Sequence, residues 1–133
     1  MNAAVDHLLP LVETEEGVSL WPAHATRTLS TAVEALVAAG DAERAQPVVD
    51  RLEEHARAIG VPSAEAAAAR CRALVLAQDG DLQAARSSIE DALTAHGRLH
   101  EPFELARTHL ARGSIERRAK QKAAARAALL QAE

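Results

Sequence analysis

The sequence predicts an all-α protein, an α-solenoid of antiparallel helix hairpins with about 40 residues per unit and about seven helices. Composition is the first reason for this prediction. The chain is 48% hydrophobic, but Ala and Leu supply most of that fraction, Tyr is absent, and Trp21 and Phe103 are the only aromatic residues of the Phe, Trp and Tyr class. Such a composition favours helix over strand. The other two reasons are apolar residues at helical spacing and an internal repeat.

The repeat has a period of 40 residues and involves several columns in the same register. The columns are Pro22, Pro62 and Pro102; Gly40-Asp41 and Gly80-Asp81, with Lys120-Gln121 in the third place; Ala45, Ala85 and Ala125; and Leu9, Val49, Ile89 and Leu129. Several columns in one register are not expected by chance. The chain is therefore predicted to be a single repeat domain spanning residues 1–133.

Each unit is predicted to contain two helices. The first helix begins at the proline, whose fixed φ suits a first helical turn, and it ends at a glycine; the aspartate that follows caps the second helix. The predicted parts are a second helix of a partial unit within 1–21 (about 3–13), unit one at 22–61, unit two at 62–101, and a truncated unit three at 102–133. In unit three the turn between paired helices is predicted at Arg117 to Lys122.

Amphipathic stripes indicate which helix faces form the core. The stripe of unit one is Thr26, Leu29, Val33, Leu36 and Val37; that of the second helix of unit two is Leu82, Ala85, Ile89, Ala92, Leu93 and His96; that of unit three is Phe103, Ala106, Leu110 and Gly113. The last helix ends in an exposed apolar pair, Leu129 and Leu130, without the polar cap that a solenoid needs. We therefore expect either a fragment of a longer protein or self-association through this helix.

The segments "GDLQAARSSIEDALTAHGRL" and "PFELARTHLARGSIERRAKQKAAARAALLQAE" resemble a known class. They are similar to the tetratricopeptide-like (TPR-like) repeats of bacterial LuxR-type large ATP-binding transcriptional regulators, the maltose-regulator-like signal-transduction ATPases. The resemblance is strongest over residues 80–133 and weaker before residue 40. It implies a sensor segment, with an ATPase module upstream and a helix-turn-helix domain downstream. The phosphate-binding motif G-x-x-x-x-G-K-[ST] does not occur in this sequence.

The first helix of each pair lines the concave groove in TPR-like arrays, so the resemblance also implies candidate binding residues. These are Arg27, Ser30, Glu34, Arg70, Arg107, Ser114 and Arg117. The expected occupant is a protein or peptide, with a small-molecule inducer as a further candidate. The alternative interpretation is that these residues form solvated helix faces.

Three other features of the sequence are candidate functional sites: a cluster of His and Glu residues, the single cysteine and a basic run. His96, His100, Glu101 and Glu104 could suggest a metal site, but Gly97 interrupts their helical spacing and zinc needs three or four converging ligands. Cys71 is expected to be a buried small apolar residue. Residues 112–126 hold six basic residues against Glu116 alone, but the predicted turn accounts for that run, so no nucleic-acid contact is expected from it.

The sequence thus favours a non-catalytic protein-interaction or signal-sensing segment of such a regulator, without metal or cofactor. The alternative is a freestanding TPR-like adaptor. No constellation of nucleophile, base or metal suggests an enzyme. A single cysteine, no signal peptide and no stretch of about 20 apolar residues favour a cytoplasmic protein without a membrane span.

Overall fold

The computed structural model describes residues 22–132, with side chains from residue 25 to 131, and this part of the chain is all-α. Its helices are α1 (Pro22–Ala38), α2 (Ala42–Ile59), α3 (Pro62–Gln78), α4 (Leu82–His96) and α5 (Pro102–Ala132). The three helices predicted to begin at a proline do so. The helix predicted at residues 3–13 lies outside the described residues.

The two Gly-Asp turns end one helix and start the next by the same hydrogen bonds. Gly40 and Gly80 have φ values of 79° and 92°, in the left-handed region that favours glycine. Asp41 N–H donates to Leu36 C=O (2.8 Å) and Asp81 N–H to Leu76 C=O (3.0 Å), which closes a Schellman motif. Each aspartate side chain then accepts from the third residue beyond it, so the predicted caps of α2 and α4 are confirmed.

Two hydrophobic clusters form the core, and their members are related by the 40-residue register. The first contains Val33, Val37, Ala45, Val49, Cys71 and Val75; the second contains the equivalents Ala73, Ala77, Ala85, Ile89, Ala111 and Ile115. Each cluster joins one helix pair to the first helix of the next unit. α3 consequently packs against all four other helices.

Unit three does not contain the predicted turn. Residues Pro102–Ala132 form one 31-residue helix, so the prediction of a break between Arg117 and Lys122 is wrong. Lys120 and Gln121 replace the Gly-Asp pair and favour helix. Arg118 Nη1 and Lys122 Nζ also donate to Ala77 C=O (3.5 Å) and Gly80 C=O (3.3 Å) at the end of α3, which fixes α5 at the place where the turn was expected.

The buried face of α5 also differs from the predicted stripe. Phe103, Ala106, Leu110 and Gly113 are all exposed, whereas Thr108, Ala111 and Ile115 are buried. Both sets have helical spacing, and contacts with other helices select the second set. These contacts are a hydrogen bond from Thr108 to His96 and ion pairs from residues 104 and 107 of α5 to α1 and α3.

Candidate functional site

Four charged side chains from α1, α3 and α5 form a closed ring of ion pairs. Arg70 on α3 binds Glu34 on α1 (Nε to Oε1, 3.1 Å) and Glu104 on α5 (Nη1 to Oε2, 3.0 Å). Arg107 on α5 also binds both carboxylates, with Nη1 3.1 Å from Glu104 Oε1 and Nη2 in contact with Glu34 Oε2. This ion-pair ring ties together the first helices of the three predicted units.

The ring combines one fully buried cation with three partly exposed partners. Arg70 is only 1% exposed, and its Nη2 has no hydrogen-bond partner among the described residues. Partial burial alone would raise the pKa of Glu104, but the hydrogen bonds and charges of Arg70 and Arg107 outweigh it and lower that pKa. Burial opposes the charged form of Arg107, and the hydrogen bond and charge of Glu34 raise its pKa nevertheless. Both shifts favour the ionised forms of Glu104 and Arg107.

Two cavities flank the ring on the side formed by α1, α3 and α5. The larger, called the inner cavity, has a volume of about 450 Å³ and lies between the first turns of α1 and α5, above the α2–α3 connection. It is lined by Thr26, Arg27, Ser30, Ile59, Val61, Ser63, Glu101, Glu104 and Arg107. The second cavity, of about 240 Å³, adjoins Glu34, Arg70, Leu74, Arg107 and Ser114 among others.

Six of the seven residues predicted for the groove lie at these cavities. Arg27 and Ser30 line the inner cavity, Glu34, Arg70 and Ser114 the second one, and Arg107 lines both. Arg117 is exposed and lines neither. Two of the six differ from the expectation of an open surface, because Ser30 and Arg70 are buried. Arg70 thus holds the helices together below the surface.

Sequence reasoning missed Ile59 and Val61, and it considered Glu101 and Glu104 only as part of a histidine cluster. The repeat gave no signal for Glu104, since its equivalents are His24 and Ala64. The available signal was Arg70 itself, which stands in a run of alanines. Small flanking residues let neighbouring helices pack closely, so an arginine among them becomes buried. A buried arginine then requires carboxylate partners.

Arg27 and Glu101 are the charged groups of the inner cavity that belong to no ion pair among the described residues. Arg27 is exposed, whereas Glu101 is partly buried and its Oε1 accepts no hydrogen bond within the described structure. Ile59 and Val61 add an apolar wall, and Val61 is exposed. With respect to residues 25–131, the cavity therefore offers one unpaired cation, one unpaired carboxylate and an apolar surface.

His96 and Cys71 are both buried and contribute to the packing of the helices. His96 Nε2 shares a hydrogen bond with Thr108 Oγ1 (2.8 Å), and burial, followed by the charge of Arg70, lowers the pKa of His96. Cys71 is fully buried, as predicted, and burial raises the pKa of its thiol to about 12. In the described part of the chain no group of three or more His, Cys, Asp or Glu residues is placed to hold a metal ion.

The opposite side of the helix pairs carries a second charged cluster. Arg72 on α3 binds Asp50 and Glu53 on α2, and the hydrogen bond of Glu53 raises the pKa of Arg72. An adjacent cavity of about 520 Å³ is bordered by Arg57 and Asp91, which are both exposed. This outer cavity has no buried polar atom in need of a partner and no apolar side chain larger than alanine.

Comparison with known proteins gave no match to a family model, to a curated protein or to a solved structure. Between residues 22 and 132, no helix combines the length and the apolar character needed to cross a membrane.

Proposed function

We propose that this chain is a non-catalytic protein-interaction or signal-sensing segment with a helical-repeat, TPR-like solenoid architecture. The ion-pair ring is the observation that carries this proposal. It brings α1, α3 and α5 to one face and places two cavities beside it. The two core clusters related by 40 residues support the repeat architecture.

The inner cavity is the proposed binding site. Its volume of about 450 Å³ lies in the range of small-ligand pockets and also suits two or three residues of a peptide. Arg27 would bind an anionic or carbonyl group, Glu101 would accept from a donor, and Ile59 and Val61 would contact an apolar group. A peptide or a small-molecule inducer with these features is the proposed ligand.

The sequence resemblance supports placing this segment in a LuxR-type transcriptional regulator, whose ATPase and DNA-binding domains would lie outside these residues. In that setting, ligand binding at α1 and α5 would alter how the first helices of successive units stack, because the ring couples them. Such coupling is the physical basis expected for a sensor.

A freestanding adaptor is the second candidate function, and the outward face of α5 favours it. Phe103 is 85% exposed and Leu110 is 74% exposed, on the same side of one helix. Exposed large apolar side chains that share a face are typical of protein-binding surfaces.

The test measures binding to a panel of short peptides and metabolites by calorimetry, with variants of the inner and outer cavities. Arg27→Gln and Glu101→Gln should each weaken binding of a hit by about tenfold or more, since each removes a charge from its contact. The matched controls, Arg57→Gln and Asp91→Asn at the outer cavity, should bind as the unaltered protein does. Equal effects at both cavities, or no effect at either, would rule out the inner cavity as the site.

A further inference from the structure

The outward face of α5 changes character along its length. Phe103, Ala106, Leu110 and Gly113 form an exposed apolar stripe over its first three turns. The stripe continues at helical spacing into Arg117 and Lys120, both exposed. We call this surface, residues 103–120, the α5 outward face: apolar first, then basic. α5 as a whole holds seven basic and two acidic residues, a net charge of +5.

On α3, the residues at the equivalent repeat positions are buried by the first helix of the next unit. Leu110 and Gly113 correspond to Arg70 and Ala73, 40 positions earlier, and both of those are buried. α5 covers them, through Glu104 on Arg70 and through Ala111 and Ile115 beside Ala73. The α5 outward face has the position and the apolar residues of a stacking surface, and within residues 22–132 nothing stacks on it.

The amino-acid sequence of residues 8–16 complements this face. Leu8, Leu9, Leu11 and Val12 come first, and Glu13, Glu15 and Glu16 follow. Leu9 and Glu16 are seven residues apart in the sequence, as are Leu110 and Arg117. No lysine or arginine occurs in residues 1–26. A parallel arrangement pairs apolar residues with apolar residues and glutamates with Arg117 and Lys120.

Within one chain this arrangement would require residues 16–22 to be almost fully extended. The start of α1 lies beside the start of α5, because Arg27 and Glu101 line the same cavity. Arg117 is 16 residues beyond Glu101 along the helix, about 24 Å at 1.5 Å per residue. Pro22 is the sixth residue after Glu16, and six residue steps span at most about 20–22 Å when fully extended. A second copy of the chain has no such limit.

We propose that residues 8–16 of a second copy dock on the α5 outward face, so that the protein self-associates through its acidic N-terminal segment and its basic last helix. Apolar contact at Phe103 and Leu110 supplies the affinity. The glutamates opposite Arg117 and Lys120 set the direction and make association sensitive to salt. This interaction is independent of the inner cavity and of its ligand.

Charge exchange between the two surfaces tests the proposal by analytical ultracentrifugation of the full chain. One variant carries Glu13→Lys, Glu15→Lys and Glu16→Lys; the other carries Arg117→Glu and Lys120→Glu. The unaltered chain should associate at low salt and dissociate as salt is raised. Each variant alone should show a dissociation constant raised by about tenfold or more, and an equimolar mixture should recover association. Circular dichroism should show that both variants keep their helical content.

A control variant with Glu43→Lys and Glu54→Lys, both exposed on α2, should associate as the unaltered chain does. A monomeric unaltered chain at low salt would overturn the proposal. So would variants that associate normally, or a mixture that stays monomeric. Recovery in the mixture is expected only when the contact joins two copies, so failure there would also point to docking within one chain.

Discussion

α3 and α5 occupy equivalent places in successive units, yet their surroundings are opposite. α3 has neighbours on every side and is buried around most of its circumference, down to the charged Arg70. α5 is buried on one stripe only and projects beyond α4, so that residues 120–131 are all exposed. The same register thus produces an interior helix in one unit and a surface helix in the next. The comparison shows that burial of this helix face depends on whether another helix packs against it.

The charged residues of the two helices follow the same division. On α3, Arg70 and Arg72 are each bound by two or more acidic partners on other helices. On α5, Glu104 and Arg107 face the body and join the ring, whereas Arg117 and Lys120 face outward. Burial therefore decides whether a charge on these helices is structural or available for binding.

Substitutions at positions 70 and 110 should differ most in how much they lower the free energy of unfolding. Arg70→Met removes the buried cation and leaves Glu34 and Glu104 with Arg107 alone, so we expect a loss of about 3–5 kcal/mol in the free energy of unfolding. At a salt concentration that keeps the chain monomeric, Leu110→Ser at the equivalent exposed position should change it by no more than about 0.5 kcal/mol. Urea unfolding followed by circular dichroism measures both. Similar losses at the two positions would mean that the α5 outward face is covered within a single chain.

Charge reversal at Arg70 is a poor probe of binding for the same reason. A glutamate there would meet Glu34 and Glu104 in a buried site, so unfolding and not weaker binding would result. Arg27 is the better choice, because it is exposed.

Ile89 and Leu129 are apolar residues 40 positions apart, and their substitution by alanine should lower stability by very different amounts. Ile89 is 2% exposed within the second core cluster, and Ile89→Ala should cost about 2–5 kcal/mol because it leaves a cavity. Leu129 is 71% exposed, and Leu129→Ala should change stability by no more than about 0.5 kcal/mol. Thermal unfolding of the two variants measures the difference. A large loss at position 129 would show that the end of α5 packs against another surface.

Local signals explain why most of the fold could be predicted. Prolines that start helices and Gly-Asp pairs that separate them act within a few residues, and the amphipathic stripes then identified Val33 and Ile89 as core. The ion-pair ring could not be predicted in this way. Glu34 and Arg107 are 73 residues apart. Arg27 shares the register of Arg107, but Leu74 and Ser114 stand at the positions equivalent to Glu34, so the repeat does not indicate the pairing.

The prediction of the buried stripe of α5 was wrong for a related reason. Phe103 and Leu110 are more apolar than Thr108 and share the same spacing, so periodicity favoured the wrong face. Partners on other helices decide the orientation: His96 binds Thr108, and Arg70 binds Glu104. In the candidate site, the resemblance identified residues that lie beside the two cavities, but it could not distinguish buried Arg70 from exposed Arg27.

Installing the missing turn would test why α5 is continuous. Lys120→Gly with Gln121→Asp should cost about 1 kcal/mol, the usual penalty of a glycine within an exposed helix, and should speed amide exchange around residue 120. It should not close a hairpin, because Arg117 occupies the place that Val37 and Ala77 fill in the earlier core clusters. Adding Arg117→Ala should let residues 122–132 fold back on α5. Protection of the Leu129 amide without that third change would contradict this explanation.

The smallest expected effect is a pH dependence at the joint between α4 and α5. Burial and the charge of Arg70 lower the pKa of His96, while Glu101 and Glu104 raise it in part and His109 adds to the lowering. A histidine whose folded pKa lies below its unfolded value contributes its full stability above the unfolded pKa, and the contribution falls as pH drops through the folded pKa. The unaltered chain should therefore lose stability between about pH 7 and pH 5 partly through His96. His96→Gln should reduce that loss, and His100→Gln, at an exposed position, should leave it unchanged. Urea midpoints at the two pH values measure the difference, and an equal loss in all three proteins would show that protonation of His96 does not destabilise the contact with Thr108.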